Sequence, residues 1–139
     1  MSQSSAGSNT VIQDAALLVA RILIVGVFLV AGYWKLTGIQ FFVTFFGNIG
    51  VPMPTVAAYA TMVAEIALPL LIIVGYQARL SALALIGLTV IATLLAHRYW
   101  EVPAAQQFGQ AMNFWRNVGL VGGLLLIAAF GPGRFAFRR

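Results

Sequence analysis

The chain has 139 residues, of which 61% are hydrophobic and 8% charged, with a mean hydropathy of +0.95; soluble domains are roughly 45–50% apolar and about 25% charged, so a water-soluble globular domain is excluded. It has no cysteine and a single histidine, so we expect no disulfide, iron–sulfur cluster, haem or metal site held by one copy of the chain. The net charge of +5 comes from eight scattered Lys and Arg residues against three Asp and Glu, which in a lipid bilayer indicate topology and lipid contact rather than binding of nucleic acid.

Four apolar segments predict an all-α integral membrane protein, a bundle of four transmembrane helices. A spanning helix needs about 20 residues. The predicted spans cover residues 15–34, 57–74, 80–96 and 112–130. The last span reaches sufficient length only if its helix begins near Met112.

The ends of the chain differ in composition from the transmembrane domain, predicted over residues 15–133. Residues 1–14 are rich in Ser, Gly and Gln and are expected to form a disordered tail. Residues 134–139 contain three arginines and are expected to form a basic C-terminal tail.

The first loop contains a short aromatic segment. Its phenylalanines Phe41, Phe42, Phe45 and Phe46 share one face of a helix, and the glycines and prolines of residues 47–54 end that helix. This spacing predicts a short amphipathic helix in the first loop. Two interpretations remain open: an anchor at the membrane surface, or a lid over a ligand that enters from the lipid.

Four spans place both termini on one side of the membrane. Lys35, Arg98 and Arg116 lie on the other side. The side of the termini carries Arg79, Arg134, Arg138 and Arg139. Because positive residues favour the cytoplasm, we expect both termini to be cytoplasmic.

Two ionisable side chains fall inside predicted spans, Arg21 in the first and Glu65 in the second. At 1.5 Å per residue, Arg21 lies about 9 Å and Glu65 about 13–14 Å from the same membrane face. Charges inside a bilayer are costly unless paired, so we expect a buried Arg21–Glu65 ion pair. It is either a structural clamp or a proton-handling glutamate beside a ligand.

A second group of polar and aromatic residues gathers at the opposite face. Its members are Trp34, Lys35, His97, Asn113, Arg116 and Asn117. Cations, amides and an imidazole can donate hydrogen bonds to quinone carbonyls or a lipid phosphate, and an imidazole can transfer protons near neutral pH. The alternative is an ordinary rim of cations and aromatics at the membrane boundary.

The order and spacing of several short motifs resemble the DoxX family of small four-helix membrane proteins, from Leu17 to Gly133. The residues that carry this resemblance are Arg21, Gly32-Tyr-Trp-Lys35, Gly50-Val-Pro52, Glu65, Gly75 to Arg79, His97, Phe114-Trp-Arg116-Asn117 and Gly122-Gly123. The resemblance implies a bacterial-type inner membrane protein associated with quinone-linked oxidoreductases, with a bound quinone and a redox partner subunit. Thiosulfate, a substrate in the family, is not carried over, because this chain has no sulfur nucleophile.

Three functions follow as hypotheses. The first is a membrane subunit of a quinone-linked oxidoreductase complex, which anchors a redox partner and contributes to a quinone site without being catalytic alone. The second is a purely structural anchor or assembly factor, for which Gly119 and Gly123 provide a small-residue packing face, and a homo-oligomer stays open. The third is a small proton-coupled exporter, although such proteins place their glutamate in the first helix rather than the second.

Overall fold

The computed structural model describes residues 2–137, with side chains from Thr10 onward. The helices are α1 (Ser2–Thr37), α2 (Ile39–Asn48), α3 (Pro54–Val74), α4 (Ala78–Ala96) and α5 (Ala104–Phe130), with a 3₁₀ turn at Tyr99–Glu101. Four of these, all except α2, are long and apolar enough to cross a membrane. The predicted all-α fold with four spanning helices is therefore confirmed.

The spanning helices pack as neighbours in chain order. α1 packs along α3, α3 along α4 and α4 along α5, while α1 and α5 touch over a shorter length. The amphipathic α2 lies at one end of the bundle, against α3 and the end of α1. We call this the α2 end, and the opposite end, which holds the α3–α4 turn and the C-terminal residues, the strap end.

Two helices begin earlier than expected. α5 begins at Ala104 rather than near Met112, because the Ala- and Gln-rich sequence after Pro103 favours a helix although it is more polar than the residues that follow. α1 begins at Ser2, so residues 2–14, expected to form a disordered tail, are helical. The unfavourable step in helix formation is nucleation, and the first span has already formed a helix. Extending that helix toward the N-terminus through a segment without proline costs little free energy.

Residues 131–137, the C-terminal strap, fold back across the end of the bundle. The Phe137 N–H donates to the Val74 carbonyl oxygen at 2.8 Å, and the Arg134 N–H donates to Asp14 Oδ1 at 3.1 Å. The described part of the expected basic tail is therefore packed against α1 and α3. Arg138 and Arg139, which belong to the same expected tail, lie outside the described residues.

The apolar core fills the half of the bundle nearer the strap. It is formed by buried residues from all four spanning helices: Val25, Phe28, Ile72, Ala78, Ala82, Leu85, Leu124 and Ile127. Large apolar side chains on the outer surface, such as Leu23 and Leu126, are exposed, as expected for helices that face lipid.

Candidate functional site

Arg21 does not pair with Glu65, and the predicted ion pair is wrong. The Arg21 side chain is buried at the strap end, where Nη1 donates to the Pro132 carbonyl oxygen at 2.6 Å. Its Nη2 donates to the carbonyl oxygens of Ile73 at 2.9 Å and Phe135 at 2.7 Å. Arg21 therefore joins α1 to the end of α3 and to the strap through backbone oxygens.

The partner of Glu65 is Lys35. Lys35 Nζ lies 2.8 Å from Glu65 Oε2, and both side chains are largely shielded, at 9% and 13% exposure. The Phe42 ring covers the ammonium group, with its centroid 4.8 Å from Nζ. Lys35 was interpreted as part of a boundary cluster, but it turns inward and neutralises a carboxylate within a spanning helix.

The register between α1 and α3 explains the error. The expectation placed the beginning of the first span level with the end of the second. In the structure Gly32 packs against Glu65 and Ile66, about 16 Å along α1 from Arg21. A Cβ at Gly32 would lie 2.6 Å from Ile66 Cγ1, so the missing side chain permits the close approach of α1 and α3 beside the ion pair.

Below α2 lies a cavity of about 400 Å³, the α2 chamber. Every helix contributes to its wall. Its polar lining residues are Lys35, Thr61, Glu65, Thr89, His97 and Asn117. Its size falls within the roughly 300–1,000 Å³ of small-molecule sites, and a mostly apolar wall with a few convergent polar groups is typical of such sites.

The α2 helix provides one wall of the chamber. All four phenylalanines, Phe41, Phe42, Phe45 and Phe46, line the cavity, and the rings of Phe41 and Phe45 stack in parallel with centroids 6.4 Å apart. The chain leaves α2 through a turn in which Gly50 and Met53 have positive φ. Of the two interpretations left open by the sequence, this placement favours the lid, because an anchor would direct its apolar face away from the bundle.

The polar groups of the chamber differ in how they are bonded. His97 Nδ1 lies 2.8 Å from Gln110 Oε1; because an amide oxygen accepts, Nδ1 carries the proton. Asn117 Nδ2 donates to Thr93 Oγ1 at 2.9 Å. Thr89 donates its hydroxyl proton to the Leu85 carbonyl oxygen at 2.7 Å, which leaves its oxygen able to accept a hydrogen bond.

Of the six residues expected to form the boundary cluster, the structure brings Lys35, His97 and Asn117 to the chamber. Trp34 is 61% exposed and does not line the cavity. Arg116 is exposed, and its Nη1 lies 3.3 Å from Asn113 Oδ1 in a local contact one turn apart. These last three residues therefore lie outside the chamber.

Sequence reasoning missed three polar residues of this region. Thr61 lies one turn before Glu65, and Thr89 lies two turns before His97 on α4. The i, i+4 and i, i+8 spacings that place them on those faces are visible in the sequence. The contact of Gln110 with His97 could not be predicted, because Gln110 lies before the predicted fourth span, residues 112–130, and a helix was not expected there.

Comparison with known proteins identifies the family of this chain. The DoxX family profile matches residues 16–98. Inner membrane protein YphA of Escherichia coli (strain K12) is 34% identical over 123 residues, which cover 88% of each chain. Inner membrane protein YqjF of the same organism is 31% identical over 134 residues, which cover 92% of this chain and 93% of YqjF. A Surfeit locus protein 4 homolog of Drosophila melanogaster is 34% identical over 68 residues, 48% of this chain and 25% of that protein.

No solved structure matches this chain. The profile match includes Lys35, Glu65 and His97 but ends before Asn117, so the ion pair and the imidazole of the chamber lie within the part of the chain that carries the family relationship. The profile match, the two relatives of nearly equal length and the four spanning helices agree. The chain belongs to the DoxX family and is a multi-pass inner membrane protein.

Proposed function

We propose that this protein is a membrane subunit of a quinone-linked oxidoreductase complex and that the α2 chamber holds the quinone head group. The observation that carries the proposal is the convergence of Lys35, Glu65, His97 and Asn117 on one cavity beneath four phenylalanine rings. A quinone is a flat apolar ring with two carbonyl oxygens and an apolar tail. Aromatic walls suit the ring, and hydrogen-bond donors suit the oxygens.

The residues of the chamber fit such a head group in both size and chemistry. The volume of about 400 Å³ accommodates a substituted ring and the beginning of its tail. Lys35 Nζ has three protons and uses one toward Glu65, so two remain for an acceptor. Nε2 of His97 has no partner among the described residues. The imidazolium form can donate from Nε2 to an oxygen of the quinone ring, and the neutral form, with its proton on Nδ1, can accept there from the reduced ring.

A quinone supplies an acceptor for two electrons and two protons. Glu65 and His97 are side chains that gain and lose protons in enzymes, and both line the chamber. Their role in the proposal is to hold and transfer protons at the oxygens of the ring. Thr61 and Thr89 contribute hydroxyl oxygens that can accept hydrogen bonds from the reduced form.

Electrons have to come from another chain. The sequence contains no cysteine and one histidine, so it lacks the ligands that usually hold an iron–sulfur cluster or a bis-histidine haem. We propose that a redox partner subunit binds this protein and delivers electrons to the chamber. The positive charges at the strap end, Arg79 and Arg134, favour cytoplasmic termini. With that orientation, the chamber lies toward the opposite face of the membrane.

The proposal is tested by isolating the protein from native membranes with its associated chains and quantifying quinone by solvent extraction. We expect about one quinone per chain. Lys35→Ala combined with His97→Ala removes two of the proposed donors, and we expect at least a tenfold loss of quinone and slower electron transfer. The matched control is Arg98→Ala, next to His97 but directed at the exposed Glu101.

Two results would contradict the proposal. One is the repeated absence of quinone from the native preparation. The other is unchanged quinone content and electron transfer in the double variant. A variant that fails to fold is replaced by Lys35→Met with Glu65→Met, which removes both charges and leaves neither one unpaired.

A specific observation also favours the structural anchor as a second candidate. Of the predicted pair Gly119 and Gly123, only Gly119 faces outward, because a Cβ on Gly123 would lie 2.9 Å from Ile24 Cδ1 inside the bundle. A Cβ on Gly119 or on Gly122 would meet no neighbour within 4 Å, so these two residues are open to a partner. A partner helix can approach such a face closely. If the protein is only an anchor, Gly119→Leu disperses the complex while Glu65→Gln has no effect, whereas the opposite pattern excludes this candidate.

A further inference from the structure

A second and larger cavity, of about 590 Å³, lies at the strap end. It is separate from the α2 chamber and shares no lining residue with it. The N-terminal part of α1, the beginning of α4, the end of α5 and the strap form its walls, and two arginines, Arg79 and Arg134, line it. Nothing in the proposed quinone function uses these two side chains.

The charges around this cavity are unbalanced. Neither the Arg79 nor the Arg134 guanidinium has an ion-pair or hydrogen-bond partner within residues 10–137. Asp14 is the acid in the lining, and its Oδ1 already accepts the Arg134 backbone N–H. Arg21 lies behind the lining, where it donates to the Pro132 carbonyl oxygen. Two guanidinium groups and one carboxylate therefore line the cavity.

The Arg79 side chain is seated on the strap rather than extended away from the bundle. A Cβ on Gly131 would lie 3.0 Å from Arg79 Nε and 3.2 Å from Nη2, so the guanidinium rests directly against the backbone of Gly131. The N–H groups of this guanidinium have no acceptor within residues 10–137 and are open to a ligand as a planar fork of donors.

The backbone adds donors to the same cavity. α4 begins at Ala78, which lines the cavity, and no side chain caps its first N–H groups. The beginning of a helix carries a partial positive charge and open N–H donors, which favour an anion. Two guanidinium groups and a helix terminus that converge on one cavity match the charge and the acceptor geometry of a phosphate group.

We infer that the strap-end cavity binds a phosphate group through Arg79 and Arg134. At this end of a membrane-spanning bundle, the phosphate belongs either to the head group of an anionic phospholipid or to a soluble phosphate compound. Bidentate hydrogen bonds from the two arginines hold its oxygens. The inference does not depend on the quinone proposal.

The test uses the full chain in a neutral detergent. Phosphatidylglycerol and phosphatidylcholine are titrated separately, with retained lipid measured by native mass spectrometry and the unfolding midpoint measured by tryptophan fluorescence. In a further arm, sodium phosphate is compared with sodium chloride at equal ionic strength. We expect phosphatidylglycerol to bind at least about fivefold more tightly than phosphatidylcholine, and Arg79→Gln or Arg134→Gln to lower that affinity about fivefold each.

Matched controls separate a site from a charged surface. Arg98→Gln and Arg116→Gln remove exposed arginines at the α2 end and are expected to leave the affinity for phosphatidylglycerol unchanged. Arg79→Lys keeps the charge but loses the fork of donors, so we expect an affinity between those of the wild type and of Arg79→Gln. If Arg79→Gln does not fold, Arg134→Gln on the strap provides the same test.

Each outcome has a definite meaning. Selective binding of phosphatidylglycerol that depends on both arginines supports the site and identifies a lipid as the source. Stabilisation by sodium phosphate alone, with the same dependence, supports the site and identifies a soluble source. The inference is overturned if neither probe distinguishes itself from its control, or if Arg98→Gln weakens binding as much as Arg79→Gln.

Discussion

The two buried cations of α1, Arg21 and Lys35, lie about 21 Å apart on one helix and are stabilised in different ways. Arg21 donates to three backbone carbonyl oxygens in a closely packed region that includes the strap. Lys35 pairs with the side chain of Glu65 at the wall of a cavity. Backbone oxygens cannot gain or lose a proton under ordinary conditions, whereas a carboxylate can.

This difference assigns separate roles to the two ends of the bundle. The strap end has a fixed arrangement in which Arg21 and the core hold α1, α3 and the strap together. The α2 end has an ion pair and a histidine around open space, covered by a helix that contributes no fully buried residue. Functional sites need polar groups whose bonds can change, so we propose that the α2 end carries the chemistry, whereas the strap end stabilises the bundle.

The largest effect is expected for Arg21→Met. It leaves the carbonyl oxygens of Ile73, Pro132 and Phe135 without their donor, and hydrogen bonds to charged groups contribute about 1.5–3 kcal/mol each. We expect the free energy of unfolding in detergent to fall by about 3 kcal/mol or more. Denaturant unfolding followed by tryptophan fluorescence measures it, with Arg116→Met as the control. A loss below about 1 kcal/mol would remove the distinction between the two ends.

The next effect is expected for the ion pair. Lys35→Met leaves the Glu65 carboxylate shielded and unpaired, which is expected to cost about 2–4 kcal/mol of unfolding free energy, whereas Lys35→Met with Glu65→Met is expected to cost less than about 1 kcal/mol. The same unfolding measurement on the two single variants and the double variant gives the coupling. A loss in the double variant equal to the sum of the losses in the two single variants would mean that the pair is not formed.

A smaller effect is expected where α1 and α3 approach most closely. Gly32→Ala places a methyl group against Ile66 Cγ1, and overpacking costs about 1–3 kcal/mol of unfolding free energy. Gly87→Ala is the matched control, because nothing lies within 4 Å of that Cβ position. If both variants have the stability of the wild type, the register that brings Lys35 to Glu65 is incorrect.

The smallest effect on stability is expected for Phe42→Leu. It removes a cation–π contact with Lys35, which contributes about 0.5–1 kcal/mol at a partly exposed site. Because Phe42 lines the chamber, we expect quinone retention to fall much more than stability. Phe108→Leu is the control, since Phe108 is 79% exposed on α5. A variant that retains quinone as well as the control does would argue against α2 as a lid.

The sequence predicts the elements of this fold better than their contacts. Hydropathy identifies the four spans, and the spacing of Phe41, Phe42, Phe45 and Phe46 identifies α2, because both signals are local. The Arg21–Glu65 pairing failed because the depth of a residue in its own span does not determine the register against a neighbouring helix.

The functional cluster was predicted in part for the same reason. Lys35, His97 and Asn117 were recognised as polar residues at helix ends, and the structure brings them to one cavity. Whether such a residue lines the cavity, as these three do, or faces outward, as Trp34 does, depends on the direction in which its side chain leaves the helix. A short sequence of a membrane helix gives little information on that direction, because both the lipid-facing and the buried surfaces are apolar.

The most direct test of the central claim is photolabelling of the native complex with an azidoquinone, followed by mapping of the adducts by mass spectrometry. We expect adducts on α2 and at the chamber-lining end of α4, suppressed by excess unlabelled quinone and reduced in Lys35→Met with Glu65→Met. Adducts at the strap end, or labelling that excess quinone does not suppress, would contradict it.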